Sequence, residues 1–439
     1  MTELGTATAD RFGNPLDPGV GYARGTILRG TDEEVAKTLH ARRLVRRRIE
    51  THGVDGVYDL TGMNRGAGLS PEDAKQLISH VPFFARFEGE TEPIAIRHMG
   101  GDPTRHDALI LNRVSAANFL ALTTLLEPGD RVLALAPAGG VTHPSVTRPV
   151  GMAGATLEEF HDVEALGAAW TRGAEPRLLA ITPITASKRH LDLEAFRRAL
   201  ALPRGAQTLI YVDDAHLASR IGFFNDPPTF ALGPIDLAVC SADKHVAGPR
   251  AGILVGRRDL VRTLRSRAFE LGLEAQTSQY VAVANALREF EPKVIARAGE
   301  LAKEVLSLLQ ERYGRARVYL GGPGVSISGE DALDIAREIG GRSAGGPGAR
   351  GDAERPALVP VEANTIVAME MLGADGVLTI SAVAMPGSAP VVRLMMYPDG
   401  HRLGARRIAE SLDRAFAELA RACHDPDQAR RLLLGDGGR

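Results

Sequence analysis

The chain has 439 residues, 44% of them hydrophobic and 24% charged, with a formal net charge of −2 at pH 7. That length exceeds one typical core and points to two domains, and the near-zero charge gives no general attraction to nucleic acid or to an anionic membrane. No apolar run approaches the roughly 18 residues of a membrane span, the N-terminus lacks a basic head before an apolar stretch, and Cys240 and Cys423 form neither metal-ligand spacing nor a disulfide framework. A cytoplasmic protein without a metal site is the expectation. Of 52 Lys plus Arg, only Lys37, Lys75, Lys188, Lys244, Lys293 and Lys303 are lysines, leaving 46 Arg. Arg stays charged at any relevant pH, whereas Lys can become a neutral amine nucleophile, so amine chemistry has six candidates.

Residues 1–54 read as an irregular arm and a helix. Thr31-Asp32-Glu33-Glu34 supplies the helix start with Thr31 as cap, and the helix runs through Arg42, Arg43, Arg46, Arg47 and Arg48. That run reads as a solvated face or as a grip for an anionic partner. From 55 to 285, short apolar strands alternate with amphipathic helices. The order is strand Ala108–Leu111, helix Ser115–Leu126, strand Arg131–Ala136, a helix from His143, strand Arg177–Thr182, helix Leu191–Leu200, then strands Thr208–Asp213, Asp236–Ser241 and Gly252–Gly256. This pattern predicts an α/β fold whose large domain is a mostly parallel sheet covered by helices on both faces. A helical region from Asp259 to Tyr313 leads into a smaller C-terminal α/β domain over 286–439. There, strands are expected at Arg317–Gly321 and in ANTIVAME, VLTIS and PVVRLMM, and a last helix from Leu403 to Cys423. Ser343–Pro356 reads as a mobile Gly/Ala/Pro-rich loop, and LGDGGR as a frayed end.

In parallel sheets, ligands bind beyond the carboxyl ends of the strands, and three such ends carry polar clusters. Asn112-Arg113-Val114-Ser115-Ala116 lies where a strand meets a helix N-terminus, whose amides and dipole favour phosphate. Asp213-Asp214-Ala215-His216 places a carboxylate at the end of a buried strand, where an unpaired charge is costly. Ser241-Ala242-Asp243-Lys244-His245 places a scarce lysine between apolar strands. Periodicity puts Lys37, Lys75, Lys293 and Lys303 on solvent-facing helices and Lys188 on a polar turn, so Lys244 stands out. A phosphate cradle, an amine and a carboxylate together match the needs of pyridoxal 5′-phosphate (PLP): the amine forms a Schiff base, and the carboxylate keeps the pyridine nitrogen protonated.

Val212-Asp213-Asp214-Ala215-His216 followed by Ser241-Ala242-Asp243-Lys244 resembles the Asp-x-Ala-His and Ser-x-x-Lys pair of fold-type I PLP enzymes, the aspartate aminotransferase superfamily. More narrowly, SADKHVAGPRAGILVGRRDLV, YDLTGMNRGAGLS and NRVSAANFLAL resemble segments of the bacterial selenocysteine synthase (seryl-tRNA selenium transferase) family, with Arg113-Val114-Ser115 departing from that family's Asn/Ala-rich loop. The resemblance implies that Lys244 carries the cofactor and serves as acid or base at the substrate's α-carbon. It implies that Asp213 pairs with the pyridine nitrogen, that His216 lies near the phenolic oxygen, and that His143 stacks on the ring. Ser115, the Ala116 amide and Ser241 take the phosphate by the same likeness, and Ser187 is a further candidate for the phenolic oxygen. Arg393 matches an arginine that pairs with a substrate carboxylate, and Arg24, in the N-terminal arm, is a second substrate-binding candidate.

The expected activity lies at the α-carbon of a small amino-acid-like substrate, as β-elimination or replacement by a lyase or transferase. Alternatives are a PLP-dependent oxidase or monooxygenase-decarboxylase of an amino acid, an aminotransferase and, from a different class, a non-catalytic RNA-binding relative. A tRNA partner is not expected, because binding a large RNA normally shows a basic footprint. The resemblance also implies a homodimer or higher homo-oligomer.

Overall fold

Residues Met63–Ala296 form one structural unit, and Met1–Gly62 with Arg297–Arg439 form the other. The computed structural model describes residues 9–64, 66, 68–79, 89–343, 357–384 and 386–436, so most of the expected loop, 344–356, and the last three residues of the expected frayed end lie outside them. The divisions expected at 54/55 and 285/286 meet a structure divided at 62/63 and 296/297, with the arm and first helix joined to the C-terminal residues.

Along the arm, β1 (Leu16–Asp17) and β2 (Tyr22–Ala23) pair antiparallel. The helix α1 (Thr31–His52) follows, with Gly30 and not Thr31 at its cap position and no side-chain cap. Asp32, Glu33 and Glu34 in its first turn complement the positive end of the helix dipole instead. Two members of its arginine run reach helix C-termini. Arg43 donates to Leu434 O (3.1 Å), and Arg48 donates to Ala374 O and Asp375 O (both 3.3 Å), where cations and donors satisfy the last carbonyls. β3 (Tyr58–Asp59) ends this segment.

The second unit carries β4 (His106–Leu111), β5 (Arg131–Leu135), β6 (Thr156–Phe160), β7 (Leu178–Ile181), β8 (Leu209–Asp213), β9 (Leu237–Ser241) and β10 (Gly252–Arg257). They form one seven-stranded sheet in the order β4-β10-β9-β8-β7-β5-β6. β10 runs antiparallel to both neighbours and every other pair is parallel. Successive residues alternate between two cores: Ile210 and Val212 join one with Leu133 and Ile181, while Leu209 and Tyr211 join the other with Val132 and Ala180. A strand buried on both faces reads as a continuous apolar run, the pattern visible in the sequence. The exception is β6, whose Thr-Leu-Glu-Glu-Phe at the sheet edge is no such run and was not expected as a strand. The expected helical region from Asp259 to Tyr313 is three helices, Arg258–Leu271, Thr277–Arg288 and Pro292–Tyr313.

In the other unit, β11 (Val318–Leu320), β12 (Gly324–Ser328) and β14 (Val391–Met395) form an antiparallel sheet, and β13 (Val377–Leu378) pairs parallel with β3. ANTIVAME is not a strand but lies inside the helix Pro360–Asp375, whose residues are buried almost all round; such a helix has no polar face, so its periodicity cannot be told from that of a strand. VLTIS is likewise only two residues of strand, followed by the short helix Ile380–Val383. Lys37, expected to face solvent, is 2% exposed and donates to Ser381 O and Ala384 O at 3.3 Å. The buried stripe of α1 is Glu34, Lys37 and Ala41, a helical face that hydrophobic periodicity cannot register.

A buried ionic cluster braces the loop after β8. Arg220, wholly buried, donates through Nη2 to Asp214 Oδ2 (2.7 Å) and through Nη1 to Asp226 Oδ2 (3.3 Å). Thr229 Oγ1 donates to Asp214 Oδ2 (2.7 Å), and His190 Nε2 lies 2.9 Å from Asp226 Oδ2. Removing one partner of such a pair strands a buried charge, so Arg220→Met is expected to cost about 3–5 kcal/mol in denaturant unfolding. For Lys37, burial lowers the amine to about 8. Its charged form is therefore disfavoured in the fold below pH 8, and that penalty is relieved as pH rises from 8 toward the ordinary lysine value. Lys37→Met is accordingly expected to gain in Tm relative to the wild type at pH 7 and to lose that relative gain by pH 10.

Candidate active site

The site is built where the carboxyl ends of β4, β8 and β9 meet. Gly252, the first residue of β10, pairs with Leu111 on one side and Ser241 on the other. A Cβ there would lie 2.6 Å from Arg113 O and 2.8 Å from Val114 N, so only glycine lets the start of the helix Val114–Leu125 settle over this strand. Asp213 ends β8. Lys244 follows β9 and bridges to Met63, while Asn64 N donates to Asp243 O (3.0 Å). Sheet order thus puts a helix N-terminus, a carboxylate and an amine along one edge of one unit.

Asp213 is 5% exposed. Its Oδ2 accepts from Asn118 Nδ2 (3.2 Å). The other amide hydrogen of Asn118 goes to Ser145 Oγ (2.9 Å), and its Oδ1 accepts from the Tyr211 hydroxyl. Every polar atom of the Asn118 side chain is therefore used, and the amide has one orientation. Ser145 Oγ, already accepting from Asn118, donates its own hydrogen to His143 Nδ1 (2.8 Å), which also accepts from Ser145 N (3.1 Å). His143 must then carry its proton on Nε2, a neutral donor at the start of the helix Pro144–Met152. Burial, the largest influence, pushes Asp213 up from the usual carboxylate value, while Lys244 and the Asn118 hydrogen bond pull it back. Its Oδ1 is buried with no hydrogen-bond partner among the described residues.

That oxygen is the direct test of fit for PLP. A buried carboxylate oxygen without a hydrogen-bond partner among the described residues fits an N–H from elsewhere, and a protonated pyridine nitrogen would supply one. The helix Val114–Leu125 has no side-chain cap at Arg113, leaving first-turn amides for a phosphate. Ser115 is exposed beside them and Ala116 is buried, with the Ala116 amide also 3.1 Å from Arg113 O. Ser241 Oγ donates to Asp243 Oδ1 (2.5 Å). Ser187 Oγ lies 3.0 Å from Thr185 Oγ1 and 3.5 Å from Gly139 O.

His216 is buried just beyond β8. Lys188 Nζ lies 3.0 Å from each of its ring nitrogens. Lys188, expected on a polar turn, is only 7% exposed. His245 Nδ1 pairs with Ser219 Oγ at 2.8 Å, and burial together with the charges of Lys188 and Lys244 holds the ring well below the ordinary imidazole range, hence neutral.

Arg24 and Arg393 belong to the other unit. Arg24 donates to Asp17 Oδ2 (3.0 Å) and to Glu34 Oε1, which also accepts from the Tyr22 hydroxyl. Arg393, in β14 opposite Ser326, is 6% exposed and lines a small cavity with Lys37, Asn364 and Ser381, where burial lowers its guanidinium to about 10. Sequence reading missed Asn118, Ser145, Tyr211 and Lys188. Only Asn118 carried a signal, as a lone amide in the apolar stretch SAANFLAL. Among the described residues no helix is long and apolar enough to cross a membrane, and no group of three or more His, Cys, Asp or Glu is placed to hold a metal ion. Because Asn118→Ala leaves the Tyr211 hydroxyl and Asp213 Oδ2 without their partner, it is expected to cost about 2–5 kcal/mol in thermal or denaturant unfolding.

No family model matches the chain. It is 31% identical over 411 residues to a UPF0425 pyridoxal phosphate-dependent protein of Methanothermobacter thermautotrophicus, a match covering 93% of this chain and 100% of that protein. A shorter match, 27% identical over 214 residues, covers 44% of this chain and 49% of a serine hydroxymethyltransferase of Azoarcus sp.. Among solved structures, an alanine–glyoxylate aminotransferase from Nostoc sp. is similar with a TM-score of 0.55 at 15% identity, over 82% of this chain and 95% of that one. The α/β architecture with its mostly parallel sheet is thus that of fold-type I PLP enzymes, while the narrower likeness to selenocysteine synthases is not specifically shown. The chain belongs to the UPF0425 family of pyridoxal phosphate-dependent proteins, and PLP is its cofactor.

Proposed function

We propose that the protein acts at the α-carbon of a small amino-acid substrate and catalyses β-elimination or β-replacement. One observation carries this reading: besides Lys244, the unit gathers proton carriers in His143, held as an Nε2–H donor, in neutral His245, and in His216 beside Lys188. Elimination adds a demand that transamination lacks, because the group leaving the β-carbon has to be met by a hydrogen-bond donor as it departs. The bound cofactor supplies an electron sink for the pair left at the α-carbon. Asp213 would hold the pyridine nitrogen, and the first-turn amides of the helix Val114–Leu125 would hold the phosphate. Lys244 would take the α-proton and, as the ammonium, return it to the departing group, to which the N–H of a neutral imidazole would donate a hydrogen bond. Hydrogen from the α-carbon and X from the β-carbon leave as HX. Hydrolysis of the remainder gives a 2-oxo acid and ammonium, whereas addition of a nucleophile at the β-carbon gives the replaced amino acid.

A second reading, serine hydroxymethyl transfer, is favoured by the 214-residue match to the Azoarcus enzyme; glycine formed from serine would identify it. The deciding experiment is a screen of serine-type substrates with good β-leaving groups on purified holoenzyme, in air and under nitrogen. The expected result is 2-oxo acid and ammonium at equal rates in both, with a visible cofactor band that Lys244→Ala abolishes. Oxygen uptake matching turnover would make the protein an oxidase or monooxygenase-decarboxylase, and 2-oxo-acid-dependent interconversion with the pyridoxamine form would make it an aminotransferase. Either outcome overturns the elimination reading.

A further inference from the structure

Lys188 sits in the loop after β7 with φ +66°, a left-handed conformation that a side-chain-bearing residue adopts only when its surroundings hold it there. The turn is well braced. Lys188 N donates to Thr185 O (3.0 Å), Thr185 N to Arg189 O (3.0 Å) and Arg189 N to Thr185 Oγ1 (3.2 Å), and Ile184 bridges His190. A turn lysine ordinarily extends into water, but this backbone geometry accompanies an amine turned inward, 3.0 Å from His216. Several charged and titratable groups gather at this strand edge: Asp213, Asp214 and His216 from β8 and its loop, Lys244 and His245 from the loop after β9, and Arg189 from its own. Asp214 is engaged by Arg220, and His245 is held neutral by burial and by the Lys188 and Lys244 charges.

The sheet order says which edge of the cofactor this amine serves. Asp213 ends β8, and the helix N-terminus Arg113–Ala116 lies on one flank of it, beyond β9 and β10, while Lys188 lies on the other flank, beyond β7. On a pyridoxal ring, the aldehyde carbon lies across from the nitrogen, with the phosphate arm on one side and the phenolic oxygen on the other. With nitrogen at Asp213, aldehyde carbon at Lys244 and phosphate at the helix, the phenolic oxygen is left for the β7 flank.

We propose that Lys188 is a positioning residue acting through His216 on the cofactor's phenolic oxygen. The ammonium lies 3.0 Å from both ring nitrogens and so favours neither one; its charge keeps the imidazole from taking a second proton, and the neutral ring offers its one N–H to the phenolate. This donor and the nearby positive charge stabilise the phenolate and disfavour a proton on the adjacent imine nitrogen. The bound cofactor's visible band therefore titrates at lower pH than it would without Lys188. The inference rests on the cofactor lying between Asp213 and Lys244, but not on which bond the enzyme breaks.

The test is a spectrophotometric pH titration of holoenzyme, with cofactor affinity measured alongside. Lys188→Met is expected to move the midpoint upward by about one pH unit and to weaken cofactor retention; Lys188→Arg is expected to restore most of both. His216→Phe alone should give a similar upward shift, and adding Lys188→Met to it should move the midpoint no further. An unchanged midpoint in Lys188→Met, with the Lys244-dependent band intact, would overturn the proposal while leaving the cofactor assignment standing. So would an undiminished Lys188→Met shift in the His216→Phe background, since Lys188 would then act without His216. If Lys188→Met fails to fold, the His216→Phe titration decides: no upward shift there refutes the proposal.

Discussion

A carboxylate at the inner end of a fully buried strand has to stay charged where water cannot help it, and the architecture around Asp213 answers that demand. Burial drives its proton affinity up, while Lys244 and Asn118 oppose the rise. Hydrogen bonds to a charged group are worth about 1.5–3 kcal/mol each, but only if the donor cannot turn away. Asn118 cannot, because Tyr211 fixes its oxygen and Ser145 takes its second hydrogen. The chain of constraints runs on to His143, whose tautomer is thereby determined. The one atom left over is Asp213 Oδ1, the oxygen to which the proposed reading assigns the cofactor's ring nitrogen.

Asp214, the next residue, shows the same constraint met differently. Consecutive residues at a strand end face opposite sides of the sheet, so the two carboxylates do not share an environment. Asp213 lies on the side of Tyr211 and Asn118. Asp214 is neutralised by the buried Arg220, which stacks over Phe196 in the other core. One carboxylate is thus committed to an ion pair, while the other keeps an oxygen without a hydrogen-bond partner among the described residues.

Much of this was legible in the sequence, for identifiable reasons. Strands buried on both faces leave continuous apolar runs, so seven-strand order aside, most of the large unit could be drawn in advance, and Asp213 and Lys244 stood out as charges at the ends of such runs. What failed were features whose meaning depends on three-dimensional direction. Lys188 looks like a turn residue because the sequence does not show a left-handed φ; Lys37 looks exposed because a helix stripe containing Glu34 and Lys37 has no apolar signature. ANTIVAME misled because β-branched residues in an enveloped helix mimic a strand, and β6 was missed because its edge position tolerates Glu158 and Glu159. The arginine run was ambiguous for a related reason: nothing local says that Arg43 and Arg48 will meet the carbonyl ends of other helices.

The central claim is that, of the amines near this edge, Lys244 alone carries the cofactor, while Lys188, equally scarce and more deeply placed, serves His216. Borohydride reduction of the holoenzyme followed by proteolysis and peptide mass mapping tests it most directly. The account predicts a single phosphopyridoxyl adduct on the peptide bearing Lys244; an adduct on Lys188, or no adduct on either lysine, would contradict it.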